Sequence, residues 1–259
     1  MTDPKSEPPR AALITGAAKR IGRAIALDLA RTGWAVAIHY SRSQGEAEAL
    51  LVEIASTGGR AALVQADLSR EAETATLVSR AAAALGPLTC LVNNASVFEN
   101  DRIETLTRDS WDMHLETNLR APLLLTQAFA QQLPEGLSGN VINLLDPRVW
   151  KPTPFFMSYT VSKIGLWALT KTLALALAPR IRVNGIGPGP TLPSTRQTPE
   201  QFAEQCAMMP LGRGTTPEEI CDAVRFVLGA PAMTGQMIAL DGGQHLGWAM
   251  PARSLTPRE

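Results

Sequence analysis

The stretch "AALITGAAKRIG", residues 11–22, decides the fold. Residues 11–15 read as a short strand, and a helical pattern follows from about Arg20 to Thr32. Between them Gly16 permits a tight turn, and Gly22 lets helix and strand approach closely. Backbone N–H groups at the helix start would face a pyrophosphate. The spacing is not GxGxxG, and two glycines alone carry little information. Their place matters more: first strand, first helix, at the head of a long alternating pattern. Arg20 stands where a middle glycine would be expected, between Lys19 and Ile21. Charge opposite a phosphate or an anionic substrate edge is the better reading for Arg20. Lys19 serves equally well as a solvated helix-start residue.

The alternation continues outward. Apolar runs at 34–40, 61–66, 88–94, 139–145, 181–187 and 235–241 read as strands. Helical patterns lie at about 44–56, 72–85, 107–118, 121–133, 155–178 and 216–229. Strands that are apolar throughout and separated by helices imply a parallel sheet covered on both faces. Right-handed crossovers then give an α/β, doubly wound, Rossmann-type sheet of about seven strands. No linker-like break divides residues 11–247, so one domain is expected. The segments 1–10 and 248–259 read as loose tails. The Pro- and Gly-rich stretch 187–215 lies beyond a strand's C-terminal edge, where such sheets bind ligands, and reads as a substrate lid.

Composition narrows the class. The chain is 45% apolar and 19% charged, which permits a large core and argues against disorder. A formal net charge of zero argues against a nucleic-acid binder. Cys90, Cys206 and Cys221 are scattered, so no metal site or disulfide framework is indicated. No run reaches membrane-span length and residues 1–10 carry no apolar signal core, so a cytoplasmic protein is expected.

The end of the second strand bears on the cofactor. Folds that bind NAD usually place an acid there to hold the ribose 2′-hydroxyl. Here "HYSRSQGE" supplies no acid until Glu46. Arg42, flanked by Ser41 and Ser43 and preceded by Tyr40, suits a 2′-phosphate instead. NADP(H) is therefore expected over NAD(H).

"SYTVSK", residues 158–163, places Tyr159 and Lys163 on one helical face. A nearby ammonium favours a phenolate and would lower the Tyr159 pKa from about 10 toward a useful range. On its own such a pair could equally be an exposed surface pair. The ordered series "TGAAKRIG", "ADL" (66–68), "NNAS" (93–96), Asn118, Asp146, "YTVSK" and "PGPT" (188–191) resembles the short-chain dehydrogenase/reductase family. The resemblance runs from Ala11 to about Gly243. It implies Tyr159 as proton donor, Lys163 as holder of the nicotinamide ribose, and Asn118 as support for Lys163 through water. It implies that Asn93 supports the sheet and the cofactor site. It also implies cofactor contacts from Gly16, Lys19, Arg20, Ile21, Gly22, Tyr40 to Ser43, Asp67, Leu68, Asn94, Ala95, Ser96, Pro188 and Gly189. A homotetramer is implied too, with helices after the fourth and fifth strands packed across subunits.

Asp146 departs from the commoner Ser at that position. A carboxylate suits a nitrogen-rich ring, since it accepts from N–H groups and can relay a proton. With Arg20, "HYSRS" and "NNASVF", this resembles the pteridine reductases and their dihydromonapterin and dihydrofolate reductase relatives. That branch implies a pterin-type substrate met by Arg20, Ser96, Phe98, Asp146 and Tyr159. Phe98 divides evenly between a ring that stacks on the pterin and a core aromatic. Arg148 could pair with Asp146, which would weaken the pterin reading. Two rivals stand beside it: a carbonyl reductase of the same family, and an NADP-binding sensor without turnover.

Overall fold

The computed structural model describes residues 10–194 and 196–247. Of the two expected tails, all but Arg10 lie outside the described residues. The chain runs β1 (Ala11–Ile14), α1 (Arg20–Arg31), β2 (Ala35–Tyr40), α2 (Gln44–Ser56), β3 (Ala61–Gln65), α3 (Glu71–Leu85), β4 (Cys90–Asn93), α4 (Arg108–Leu115) and α5 (Ala121–Gln132). Then come β5 (Gly139–Leu144), α6 (Met157–Leu177), β6 (Ile181–Pro188), α7 (Pro199–Ala207), α8 (Pro217–Gly229) and β7 (Met237–Leu240).

The strands form one seven-stranded sheet in the order β3-β2-β1-β4-β5-β6-β7, and every pairing is parallel. This is the doubly wound fold expected from the alternation. All four residues of β1 are buried, because helices cover both faces. Successive side chains alternate between two cores. Ile14 joins Ile25, Leu29, Leu50 and Val224 under α1, α2 and α8. Leu13 joins Leu77, Leu91, Phe129 and Val183 on the other face. Each such side chain contributes roughly 1.5–3 kcal/mol by leaving water. The strand order reverses between β1 and β4, and that switch point opens a crevice at the strands' C-terminal ends.

Two stretches differ from the expectation. The helix expected over 107–118 is α4 followed by a single π-helical turn, Glu116–Arg120, that carries Asn118 into α5. Such turns re-aim a side chain without ending a helix. The stretch 187–215 is not irregular throughout, because it contains α7. Thr198 and Gln201 form a capping box at its start, with Pro199 in the first turn. Prolines and glycines around this helix hid it from a reading by hydrophobic period.

No helix among the described residues is long and apolar enough to cross a membrane.

Candidate active site

The crevice holds a cavity of about 280 Å³. Arg20, Ile21, Asn94, Ser96, Phe98, Asp146, Tyr159, Lys163, Pro188 and Gly189 line it, together with Arg148 and, from the stretch after β6, Pro190, Thr191, Leu192, Gln197, Phe202 and Gln205. Ten of the residues expected at the site thus meet in one cleft. Asn118 lies buried beside it and not in its wall.

The first turn owes its shape to its glycines. Gly16 has φ +62°, and a Cβ on Gly22 would lie 2.3 Å from the Gly16 carbonyl oxygen. Any side chain there would push α1 off the strand. Arg20 occupies the middle-glycine place with φ +56°. Left-handed backbone costs a non-glycine residue of order 1–2 kcal/mol, so Arg20 is retained there against its own preference. Its guanidinium donates to the carbonyls of Pro193 (2.8 Å) and Leu192 (3.1 Å), tying the start of α1 to the stretch after β6. Lys19 pairs with Glu46 at 2.6 Å. Arg42 is exposed and, among the described residues, has no hydrogen-bond or ion-pair partner. Asn94 and Ala95 bond inward: Asn94 Nδ2 donates to the Thr15 carbonyl (2.8 Å), and both backbone amides donate to Thr15 Oγ1. Asp67 accepts from the Ser69 amide and hydroxyl, and that bond leads the causes that lower its pKa.

At the chemical end, Asp146 follows β5 and Tyr159 stands in the first turn of α6. The Tyr159 hydroxyl donates to Asp146 Oδ2 at 2.9 Å. Asp146 Oδ1 accepts the Arg148 amide at 2.8 Å, and the Arg148 guanidinium lies 3.3 Å from Oδ2. Arg148 therefore does pair with Asp146, reaching both carboxylate oxygens, which is the outcome that weakens the pterin reading. The pair is long, and a carboxylate offers about four acceptor positions, so the Tyr159 bond survives beside it. Lys163 Nζ donates to the Leu144 carbonyl at 2.8 Å and lies 5.7 Å from the centre of the Tyr159 ring.

The electrostatics differ from the sequence expectation. Tyr159 is held well above the ordinary phenol range, first by burial and then by the Asp146 charge. Lys163 does not overcome them. Burial pulls Lys163 itself down to about 8, with Asp146 opposing. Tyr159 is thus a neutral phenol whose proton points at a carboxylate.

Aromatic rings shape the cavity wall. Phe98 stacks on Phe156 with centroids 4.4 Å apart and meets the Tyr159 ring edge-on at 4.7 Å. One face of Phe98 is thus spent on the protein, and the ring is half-buried, so features of both sequence readings coexist. Phe156, the residue before α6, has φ +55°.

Sequence reasoning missed the supports. Phe156 cannot cap α6, and buried Asp101 does so from a distance: Oδ1 accepts the Ser158 amide at 3.1 Å, and Oδ2 accepts the Ser158 hydroxyl. His114 Nδ1 lies 2.7 Å from that hydroxyl, and its Nε2 accepts the Glu99 amide at 3.0 Å. The network ties the loop after Phe98 to the helix carrying Tyr159. Arg196, just before α7, adds a clasp, donating to the Phe98 carbonyl (2.7 Å) and pairing with Glu99 (2.5 Å). Asn118 accepts the Val97 amide (2.8 Å) and the Ser96 hydroxyl, and donates to Ser162. Only contacts over tens of residues reveal these roles, and no short spacing signals them. Among the described residues, no group of three His, Cys, Asp or Glu side chains could hold a metal ion.

The chain is similar in sequence and fold to several known proteins. A family model described as Enoyl-(Acyl carrier protein) reductase matches residues 16–245. The structure is similar to FolM Alternative dihydrofolate reductase 1 from Brucella suis in complex with NADP. That similarity has a TM-score of 0.91 and 49% identity over 95% of this chain and 98% of that one. The Brucella canis protein of the same name, also complexed with NADP, gives 0.88 and 47%, with 95% and 98% covered. The 3-oxoacyl-[acyl-carrier-protein] reductase FabG of Staphylococcus epidermidis is 32% identical over 92% of this chain and 99% of its own.

Proposed function

From the premise that this chain belongs to the short-chain dehydrogenase/reductase family, we propose that it is an NADPH-dependent reductase of a C=N bond in a dihydropterin-type ring. The observation that carries the reading is the Tyr159–Asp146 hydrogen bond. A Ser at that position would offer a hydroxyl suited to a carbonyl oxygen. A carboxylate both orients the phenol and accepts from ring N–H groups. The likeness to the two Brucella proteins supports the same branch.

The Gly16–Gly22 turn fits a dinucleotide, because its close packing leaves the start of α1, with Arg20 and Ile21, at the cavity wall. Its first-turn amides have no partners within the helix. NADPH held there supplies the hydride. The uncommitted Arg42, with Ser41 and Ser43, would receive the 2′-phosphate. Lys163 would hold the nicotinamide ribose and, through its charge, stabilise negative charge developing on Tyr159. Tyr159 gives its proton to the substrate nitrogen, which replaces Asp146 Oδ2 as the acceptor of the hydroxyl. Phe98 presents a wall on which a flat ring can lie. Asn118 fixes the Ser96–Val97 segment beside it. The chain would work as a homotetramer, and the exposed Val161, Ile164 and Leu175 on α6 supply an apolar face for that packing.

A second reading, reduction of a 3-oxoacyl thioester, draws on the FabG relatives. One comparison separates the two: NADPH consumption with dihydropterins against a 3-oxoacyl thioester. Thioester turnover without pterin turnover would overturn the first reading.

A further inference from the structure

His39 lies buried in β2 and takes no part in the proposed hydride or proton steps. Its ring Nδ1 accepts the Gly16 amide at 2.9 Å, and Nε2 lies 3.1 Å from the Ala66 carbonyl. Its own carbonyl accepts the Ala17 amide at 2.8 Å. An amide can only donate and a carbonyl can only accept, so these partners fix the tautomer. Nδ1 is the bare acceptor and Nε2 carries the proton.

The partners are not arbitrary. Gly16 opens the turn read as facing the cofactor pyrophosphate, and Ala66 leads directly into Asp67 and Leu68, both expected cofactor contacts. One rigid ring therefore spans two separate cofactor-binding segments. It also turns the Gly16 amide inward, which fixes the direction in which the rest of the turn leaves β1. The charged groups acting on the ring are Arg80, which opposes its protonation, and Asp67, which favours it. A side chain needed only to fill this position would be apolar, like its neighbour Ile38.

We propose that His39 is a positioning residue for the cofactor, holding the Gly16 turn and the Ala66–Leu68 loop at a set separation through a neutral imidazole. The proposal rests on the reading of residues 15–22 as the pyrophosphate site.

Three substitutions take the ring apart. Asn places an acceptor near the Gly16 amide but does not reach Ala66. Gln places a donor near Ala66 but withdraws the acceptor from Gly16. Leu removes both. NADPH dissociation constants, kcat at saturating NADPH, and Tm would be measured for each. His39→Leu is expected to weaken NADPH binding by about tenfold or more, the scale of one lost bond to a part-buried amide. His39→Asn and His39→Gln should each restore part of it, with kcat at saturating NADPH within about twofold of the parent. If His39→Leu does not fold, the Asn and Gln variants decide by the same split. A folded variant that binds NADPH like the parent would overturn the proposal. So would a loss of kcat with unchanged NADPH affinity. A parent protein that binds no NADPH would overturn the cofactor reading itself, and this inference with it.

Discussion

Tyr159 and Asp146, thirteen residues apart in sequence, share one hydrogen bond of 2.9 Å at the floor of the cleft. Every other contact of Asp146 leaves that bond intact: the Arg148 amide caps its Oδ1, and the guanidinium stands off at 3.3 Å. The carboxylate keeps the phenol protonated and holds its proton at Oδ2. The donation proposed above requires that proton to turn from Oδ2 to the substrate nitrogen.

Removing the phenol should therefore abolish chemistry and spare binding. Tyr159→Phe is expected to lower kcat by about 10²- to 10⁴-fold, the usual worth of a positioned acid. NADPH affinity, measured by fluorescence titration, should change by less than about threefold. A comparable loss in both would make Tyr159 a structural support.

Coenzyme choice should reside in Arg42. Arg42→Ala is expected to raise KM for NADPH by about tenfold or more while leaving NADH kinetics near the parent values. Equal catalytic efficiency with both coenzymes in the parent would refute the assignment of Arg42 to a 2′-phosphate.

Asp101 should matter to stability through α6. Asp101→Ala strips the cap from the Ser158 amide and leaves that buried donor without its acceptor, at a cost of about 1–3 kcal/mol, while the Ser158 hydroxyl keeps His114 within reach. Urea denaturation should show a lowered midpoint. An unchanged midpoint would mean that α6 is held by packing alone.

Stability of the cofactor-free protein should vary with pH in two windows. His39 is pulled by burial from 6.5 to about 4, so between these values the unfolded chain binds a proton that the native state refuses. Stability is then full above about pH 6.5 and is lost as pH falls toward 4. Lys163, pulled from 10.5 to about 8, acts in the same sense at high pH: the native state is penalised while charged. That penalty lifts as pH rises from about 8 to 10.5. Each window is worth up to about 3 kcal/mol. Urea midpoints across pH check this, and His39→Asn should flatten only the acid limb.

The sheet was legible because buried parallel strands are written as uninterrupted apolar runs, and each expected strand and helix lies within a few residues of its counterpart. The local motifs were legible for the same reason: Gly16, Gly22, Tyr159 and Lys163 act over one or two turns of chain. Helix α7 was obscured by prolines, although Thr198, Pro199 and Gln201 spell its start. Asp101, His114, Arg196 and His39 were silent because their partners lie on distant elements. Arg20 was expected to face phosphate or substrate; it lines the cavity, and its bonds to the Leu192 and Pro193 carbonyls, 172 and 173 residues away, were not legible. The lowered phenol pKa was expected from Lys163 alone. Burial and Asp146, whose effects on the phenol need the fold, reverse it.

The most direct test of the account is Asp146→Ser, assayed by NADPH consumption with dihydrobiopterin, dihydromonapterin, dihydrofolate and a 3-oxoacyl thioester. The account predicts that the parent turns over the pterins. It predicts that the variant loses about 100-fold or more of that activity, with NADPH affinity within about threefold. A parent active only on the thioester, or a variant that keeps pterin turnover, would contradict it.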